Sequence, residues 1–88
     1  MNCIVVDDEP LAREGIGLLV SKIKGLNLIA SLNNADSAAK FMLSESVDLV
    51  FLDIQMPGTN GLDFAKTIPQ NTLVIFTTAY AEYALNSY

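Results

Sequence analysis

The sequence predicts an α/β fold built on a parallel β-sheet. Short apolar runs recur without alternation between apolar and polar residues, which is typical of strands covered on both faces. Amphipathic helical patterns separate these runs, so that strand and helix alternate along the chain. Such an order requires parallel strands joined by right-handed crossovers, with the helices packed against the sheet.

Four runs have the length of strands. Three are wholly apolar, whereas the second along the chain is more polar and partly alternating, which favours an edge position. The predicted strands are residues 3–6, 26–32, 49–52 and 73–76. Asp53 closes the third strand, and Thr77 and Thr78 close the fourth.

The first predicted helix has the clearest pattern. Pro10 suits its first turn, and Gly25 can adopt the left-handed conformation that ends a helix. Asn34 is expected to cap a second helix, and further helices are predicted over 61–68 and from Ala81 onward. The apolar stripe of the first helix comprises Ala12, Ile16, Leu19, Val20 and Ile23.

Composition excludes several classes of protein. With 88 residues, 51% of them hydrophobic, the chain can bury one modest core, so we expect a single domain over 1–88. The net charge of -5 and the scattered basic residues argue against direct binding of nucleic acid. The lone Cys3 excludes an internal disulfide and indicates a reducing compartment. No apolar stretch is long enough to span a bilayer, so a cytoplasmic protein without membrane contact is expected.

Oxygen-bearing side chains follow three of the predicted strands. Asp7 and Asp8 follow the first, Asp53 closes the third, and Thr77 and Thr78 close the fourth. Each has an ordinary structural explanation, as a helix cap, a turn residue or a strand threonine. However, parallel strands bring their carboxyl ends to one edge of the sheet, where ligands bind. Together these residues therefore favour a functional site.

Three carboxylates at one edge repel one another. Each pair about 4 Å apart costs about 4 kcal/mol at an effective dielectric constant near 20, so three pairs cost roughly 12 kcal/mol. The group must therefore bind protons or a cation. The chain has no histidine, and only oxygen ligands are at hand, so Mg²⁺ or Mn²⁺ is the suited ion. An aspartate beside such an ion can act as a nucleophile toward a phosphoryl donor, and Asp53 is the best candidate.

Three motifs resemble a known family. They are Ile4-Val5-Val6-Asp7-Asp8-Glu9-Pro10, Asp48-Leu49-Val50-Phe51-Leu52-Asp53-Ile54-Gln55-Met56-Pro57-Gly58 with Asn60-Gly61-Leu62, and Val74-Ile75-Phe76-Thr77-Thr78-Ala79. Their residues and spacing resemble the receiver domain of bacterial two-component response regulators. The resemblance implies a flavodoxin-like three-layer sandwich with strand order 2-1-3-4. It also implies a signalling module rather than a turnover enzyme.

The resemblance further implies roles for residues at the site. Asp53 matches the phosphoacceptor, and a sensor histidine kinase is the implied donor. Asp8 and Asp53 match the residues that bind Mg²⁺ directly, Asp7 the one that helps through water, and the backbone carbonyl of Gln55 a further ligand.

Two more matches concern the residues that respond to phosphorylation. Thr78 matches the hydroxyl that turns toward the phosphoryl group, and Ala79 matches the small residue whose backbone N–H reaches it. The segment from Phe76 to Leu85 is similar to receivers fused to a LytTR-type DNA-binding domain. DNA would then be contacted only through an effector that these 88 residues do not contain.

The fifth strand and fifth helix of receivers, and the lysine that ends that strand, have no counterpart in the sequence. We therefore expect a receiver incomplete at its C-terminus, with weak phosphorylation. The fourth predicted strand becomes a sheet edge, which favours homodimers, including strand exchange.

Other functions fit less well. Phosphatases of the haloacid dehalogenase type use a second aspartate two residues after the nucleophile, where this chain has Gln55. A nucleotide-binding function is disfavoured, because this chain has no glycine-rich loop after the first strand. A receiver-fold interaction or dimerisation module that is never phosphorylated remains the alternative.

Overall fold

The computed structural model describes residues 1–77, and within them the four predicted strands are present and are separated by helices as predicted. The elements are β1 (Asn2–Val6), α1 (Pro10–Ser21), β2 (Asn27–Leu32), α2 (Ala35–Ser44), β3 (Leu49–Asp53), β4 (Gln55–Met56), β5 (Thr59–Asn60), α3 (Gly61–Ala65) and β6 (Leu73–Thr77). The helix predicted from Ala81, together with Thr78 and Ala79, lies outside the described residues.

The main sheet is parallel, with the order β2-β1-β3-β6. Since β6 is the fourth strand predicted from the sequence, the order 2-1-3-4 is confirmed, and so is the edge position of β2. The register pairs Val6 with Leu52 and Asp53 with Thr77, so three strands end at the same edge. A short antiparallel pair, β4 and β5, was not predicted.

Two apolar layers enclose the sheet, which confirms the three-layer sandwich. The larger one packs Ile4, Val6, Val50 and Leu52 against α2 and α3, with Ala38 and Phe64 among the helical contacts. The smaller one packs Cys3 and Leu49 against Val20 of α1. Alternate residues of each strand thus point to opposite layers. Within residues 1–77, no helix combines the length and apolar character needed to cross a bilayer.

The first helix differs from the prediction in its end and its buried face. It begins at Pro10 as expected but ends at Ser21, and Gly25 follows with a φ of 94°. Leu19 and Ile23, predicted to face inward, are 64% and 50% exposed. The helix instead packs on β2 with Gly17 toward Leu28, from which a Cβ built at Gly17 would lie 3.4 Å, and Leu19, about 200° away around the helix, points outward.

The other two helices have the polar caps that short helices need. The Asn34 side chain accepts a hydrogen bond from the Ser37 N–H at 2.7 Å, which confirms the predicted cap of α2. Asn60 caps α3 in the same manner by accepting from the Leu62 N–H at 2.8 Å. The third helix ends at Ala65, three residues before the predicted end.

Candidate functional site

An acidic cluster lies where β1 and β3 end. It consists of Asp7, Asp8 and Asp53, and one carboxylate oxygen from each lies within 4.8 Å of the others. The structure therefore brings together the three aspartates that the sequence placed at one edge. Asp8 is not used as a helix cap, because Glu9 occupies the position before α1 and no side chain caps that helix.

Asp7 is buried, and each of its polar groups has a partner. Its N–H donates to the Leu32 carbonyl at 3.0 Å, and its carboxylate accepts from the Glu9 N–H at 2.9 Å. Its carbonyl oxygen accepts from Nη1 of Arg13 at 2.7 Å. With only 4% of its surface exposed, Asp7 is the most buried member of the cluster.

Asp53 is held at the end of β3 by the turn that follows. Its carboxylate accepts a hydrogen bond from the Gln55 N–H at 3.3 Å. Behind it, the Gly61 N–H donates to the Ile54 carbonyl at 2.7 Å. An added Cβ at Gly61 would collide with the Asp53 carbonyl oxygen and lie 2.8 Å from the Ile54 Cα. Only glycine fits at this close approach.

The environment of Asp53 disfavours its charged form. Its pKa is raised to about 6, mainly by burial, while the hydrogen bond from the Gln55 N–H acts in the opposite direction. The charge of Asp7, and the hydrogen bond and charge of Asp8, contribute to the rise. The free energy of charging this carboxyl in the folded protein is therefore higher than in the unfolded chain. A bound cation would relieve that cost.

The donor atoms of the cluster fit a hard divalent cation. All three side chains offer carboxylate oxygens, which suit Mg²⁺ and Mn²⁺, and none offers sulfur or imidazole. Cys3 is buried in the layer beneath α1 and belongs to the core. The chemistry of the site therefore agrees with the ion predicted from the sequence.

Removing the Asp53 charge should stabilise the metal-free protein at neutral pH. Because its pKa is raised on folding, Asp53 is destabilising when ionised, and this cost grows as the pH rises from about 4 to above 6. After allowance for its partial exposure, Asp53→Asn should raise the free energy of unfolding by about 1–2 kcal/mol at pH 7.5. The gain should nearly vanish at pH 4.

Denaturant titrations at the two pH values, in buffer with chelator, measure this difference. Glu45→Gln, which removes a carboxylate at the far end of α2, is the matched control. Its difference from wild type in the free energy of unfolding should be the same at the two pH values. Equal pH dependence in wild type and Asp53→Asn would contradict the prediction.

Comparison with known proteins assigns the family and the fold. Residues 3–87 match the family described as the response regulator receiver domain. The chain belongs to this family. It is thus a signalling domain of the two-component type rather than a turnover enzyme. Receiver domains bind Mg²⁺ at an acidic pocket, and an acidic cluster is present in this chain.

The curated relatives of this chain are response regulators of one type. The chain is 38% identical to the sensory transduction protein LytR of Staphylococcus haemolyticus, with all of this chain and 36% of that protein covered. It is 40% identical to the positive alginate biosynthesis regulatory protein of Pseudomonas aeruginosa, with all of this chain and 37% of that protein covered. The relatives are LytR/AlgR-type response regulators, and the chain spans little more than a third of their length.

Solved structures share the receiver fold. The response regulatory domain of MrkE from Klebsiella pneumoniae superimposes with a TM-score of 0.81 at 28% identity, over 99% of this chain and 74% of that one. The response regulator TrrA from Thermotoga maritima gives 0.79 at 35% identity, over 97% and 75%. The latter structure is a complex with Mg²⁺ and BeF.

Two features of the receiver site were not predicted from the sequence. Arg13 was counted only among scattered basic residues, yet its guanidinium contacts the Asp7 carbonyl. Its position five residues after Asp8, on the first turns of a helix that starts at the site, was the available signal. Thr77 has a buried hydroxyl without a hydrogen-bond partner among the described residues. Thr78 and Ala79, the predicted switch residues, lie outside that part of the chain.

Proposed function

We propose that residues 1–88 form one receiver domain that accepts a phosphoryl group on Asp53 from a sensor histidine kinase. The observation that supports this most is the convergence of Asp7, Asp8 and Asp53 within 4.8 Å at the carboxyl edge of the sheet. The Gln55 N–H and the turn backed by Gly61 keep Asp53 fixed at that edge. A fixed carboxylate is what a positioned nucleophile requires.

Mg²⁺, or Mn²⁺ in its place, would be held by this acidic cluster. Asp8 and Asp53 would bind it directly, Asp7 through water, and Gln55 through its backbone carbonyl. When bound, the ion supplies positive charge that offsets the negative charge on the transferring phosphoryl oxygens. The three carboxylates support this assignment, since they converge without a basic side chain forming a salt bridge to any of them within residues 1–77.

The transfer itself moves one phosphoryl group between two side chains. A carboxylate oxygen of Asp53 attacks the phosphorus of a phosphohistidine on the kinase. An O–P bond forms as the N–P bond breaks, and the imidazole leaves with the electron pair and takes up a proton from water. The fixed position of Asp53 at the strand end favours the in-line approach that this exchange needs.

The switch would begin at the residue after β6. Thr78 would turn its hydroxyl toward the phosphoryl group, and the Ala79 N–H would donate to it. The resulting rearrangement would act on a DNA-binding, transcription-regulating domain in the cytoplasm. The names of the relatives, a sensory transduction protein and a regulator of alginate biosynthesis, support such an output.

Phosphoryl transfer from a small donor tests the proposal without the kinase. The chain is incubated with acetyl phosphate, with and without Mg²⁺, and its intact mass is recorded. We expect the mass of one phosphoryl group to be added in part of the population, only with Mg²⁺ and not in Asp53→Asn. Equal modification of Asp53→Asn would contradict the assignment of the phosphoacceptor.

A second candidate, a dimerisation module that works without phosphorylation, has one observation in its favour. Leu73 and Ile75 lie on the same face of the edge strand β6 and are 57% and 47% exposed. On that face of the sheet, α1 is the only helix in the described part of the chain, and it packs over β1 and β2. An apolar face that no helix of residues 1–77 covers, beside a sheet edge, favours association.

Association through β6 can be separated from other contacts by substitution. We expect wild type to form dimers at high concentration in light scattering, and the double variant Leu73→Lys with Ile75→Lys to stay monomeric. Leu43→Lys, at an 88% exposed position on α2, is the control and should still dimerise. A monomeric wild type at high concentration would contradict this second candidate.

A further inference from the structure

Arg13 has a different environment from the other basic side chains. It is half-buried, whereas Lys22, Lys24, Lys40 and Lys66 are all exposed. Within residues 1–77 its guanidinium forms no salt bridge, and the ion pair of Lys66 with Asp63 is the one present there. Instead its Nη1 donates to the Asp7 carbonyl oxygen at 2.7 Å. A charged donor at this distance makes a strong hydrogen bond.

The position of Arg13 on α1 explains this contact. A helical side chain leans back toward the N-terminus of its helix, so a residue in the first turns reaches the segment that precedes the helix. Arg13 is also tied to that segment by its backbone, since its N–H donates to the Glu9 carbonyl at 2.9 Å. The side chain and the backbone of one residue therefore both hold the loop between β1 and α1.

The contact completes the fixation of Asp7. Its N–H is bonded to β2 through Leu32, and its carboxylate is bonded to the Glu9 N–H. Without a partner for the Asp7 carbonyl, the peptide plane that joins Asp7 to Asp8 could rotate. With Arg13 bonded to it, that peptide plane is fixed, and so is the direction in which the Asp8 side chain leaves the backbone.

We infer that Arg13 is a positioning residue that orients Asp7 and Asp8 toward Asp53 for binding of the cation. The inference rests on the proposed function, because the cation is part of that function. Arg13 acts through the Asp7 peptide and not by contact with the ion. Groups that orient metal ligands from behind affect affinity even though they bind no metal themselves.

The test uses two readouts on three variants. Arg13→Met removes the donors but keeps the apolar stem and helix propensity, Arg13→Lys keeps the charge without the planar fork, and Lys40→Met is the charge-matched control on α2. Hydrogen exchange of the Asp7 and Glu9 amides is measured in metal-free protein, with the amides of β3 as internal reference. Mn²⁺ affinity is measured by calorimetry.

In Arg13→Met we expect the two loop amides to exchange about tenfold faster, while the amides of β3 keep their wild-type rates. Mn²⁺ should bind about tenfold more weakly. Arg13→Lys should show roughly a threefold change in both, because an ammonium reaches the carbonyl with a less fixed geometry. Lys40→Met should match wild type in both readouts.

Unchanged loop exchange in Arg13→Met overturns the inference, and so does faster exchange throughout β3, which would mark a purely structural role. If Arg13→Met does not fold, Arg13→Lys is judged by its loop exchange rates and its Mn²⁺ affinity relative to wild type. Wild-type values of both would overturn the inference. Failure of the wild-type protein to bind Mn²⁺ would instead contradict the proposed function, and the metal-free exchange data would still decide the role of Arg13.

Discussion

Asp8→Asn is expected to weaken Mg²⁺ binding by about a hundredfold, which corresponds to about 2.8 kcal/mol. Asp8 supplies a carboxylate to the acidic cluster, close to the carboxylates of Asp7 and Asp53. Replacing it with a neutral amide of the same shape removes a strong attraction for a doubly charged ion. The substitution also removes part of the repulsion that raises the pKa of Asp53, so the metal-free fold should not be weakened.

Calorimetric titration with Mg²⁺ measures this loss. Glu9→Gln is the matched control, because it removes one carboxylate from the adjacent, exposed residue that is not a member of the cluster. Its affinity should stay within about twofold of wild type. Equal losses in the two variants would mean that the net charge of the loop, and not the Asp8 carboxylate, attracts the ion.

Gly61→Ala is expected to destabilise the protein by about 3 kcal/mol. The new Cβ would collide with the Asp53 carbonyl and lie 2.8 Å and 2.9 Å from the Cα and carbonyl oxygen of Ile54. These are backbone atoms at the end of a buried strand, so they cannot move aside as the tip of a flexible side chain could. The Gly61 to Ile54 hydrogen bond would also lengthen.

Denaturant unfolding of Gly61→Ala gives the cost directly, and Gly15→Ala is its control. Gly15 lies on the exposed side of α1 with no atom within 4 Å of an added Cβ. There the same change should stabilise by about 0.5–1 kcal/mol through helix propensity. A loss below about 1 kcal/mol in Gly61→Ala would show that the turn beside Asp53 adapts more easily than its packing indicates.

The fold could be predicted from the sequence because its signals are local. Uninterrupted apolar runs identified the buried strands, and Pro10 and Asn34 marked the starts of α1 and α2 correctly. The convergence of the three aspartates followed from topology alone, since parallel strands end at one edge. Neither inference needed side-chain packing.

What the sequence could not give depends on packing between elements. The stripe predicted for α1 placed Leu19 inward, but the helix packs with Gly17 toward Leu28 of β2, and this orientation leaves Leu19 exposed. Likewise, nothing in the spacing of Arg13 reveals that its guanidinium would bond to a backbone carbonyl rather than to a carboxylate. Such choices follow from distances of a few ångströms that periodicity does not encode.

The central claim, that Asp53 accepts the phosphoryl group, is tested most directly by trapping the product. After incubation with acetyl phosphate and Mg²⁺, borohydride reduces an aspartyl phosphate to homoserine, and peptide mapping by mass spectrometry locates the altered residue. We predict homoserine at position 53 in a fraction of the molecules when Mg²⁺ is present, and none when Mg²⁺ is absent. Homoserine at position 7 or 8, or none at any position, would contradict the assignment.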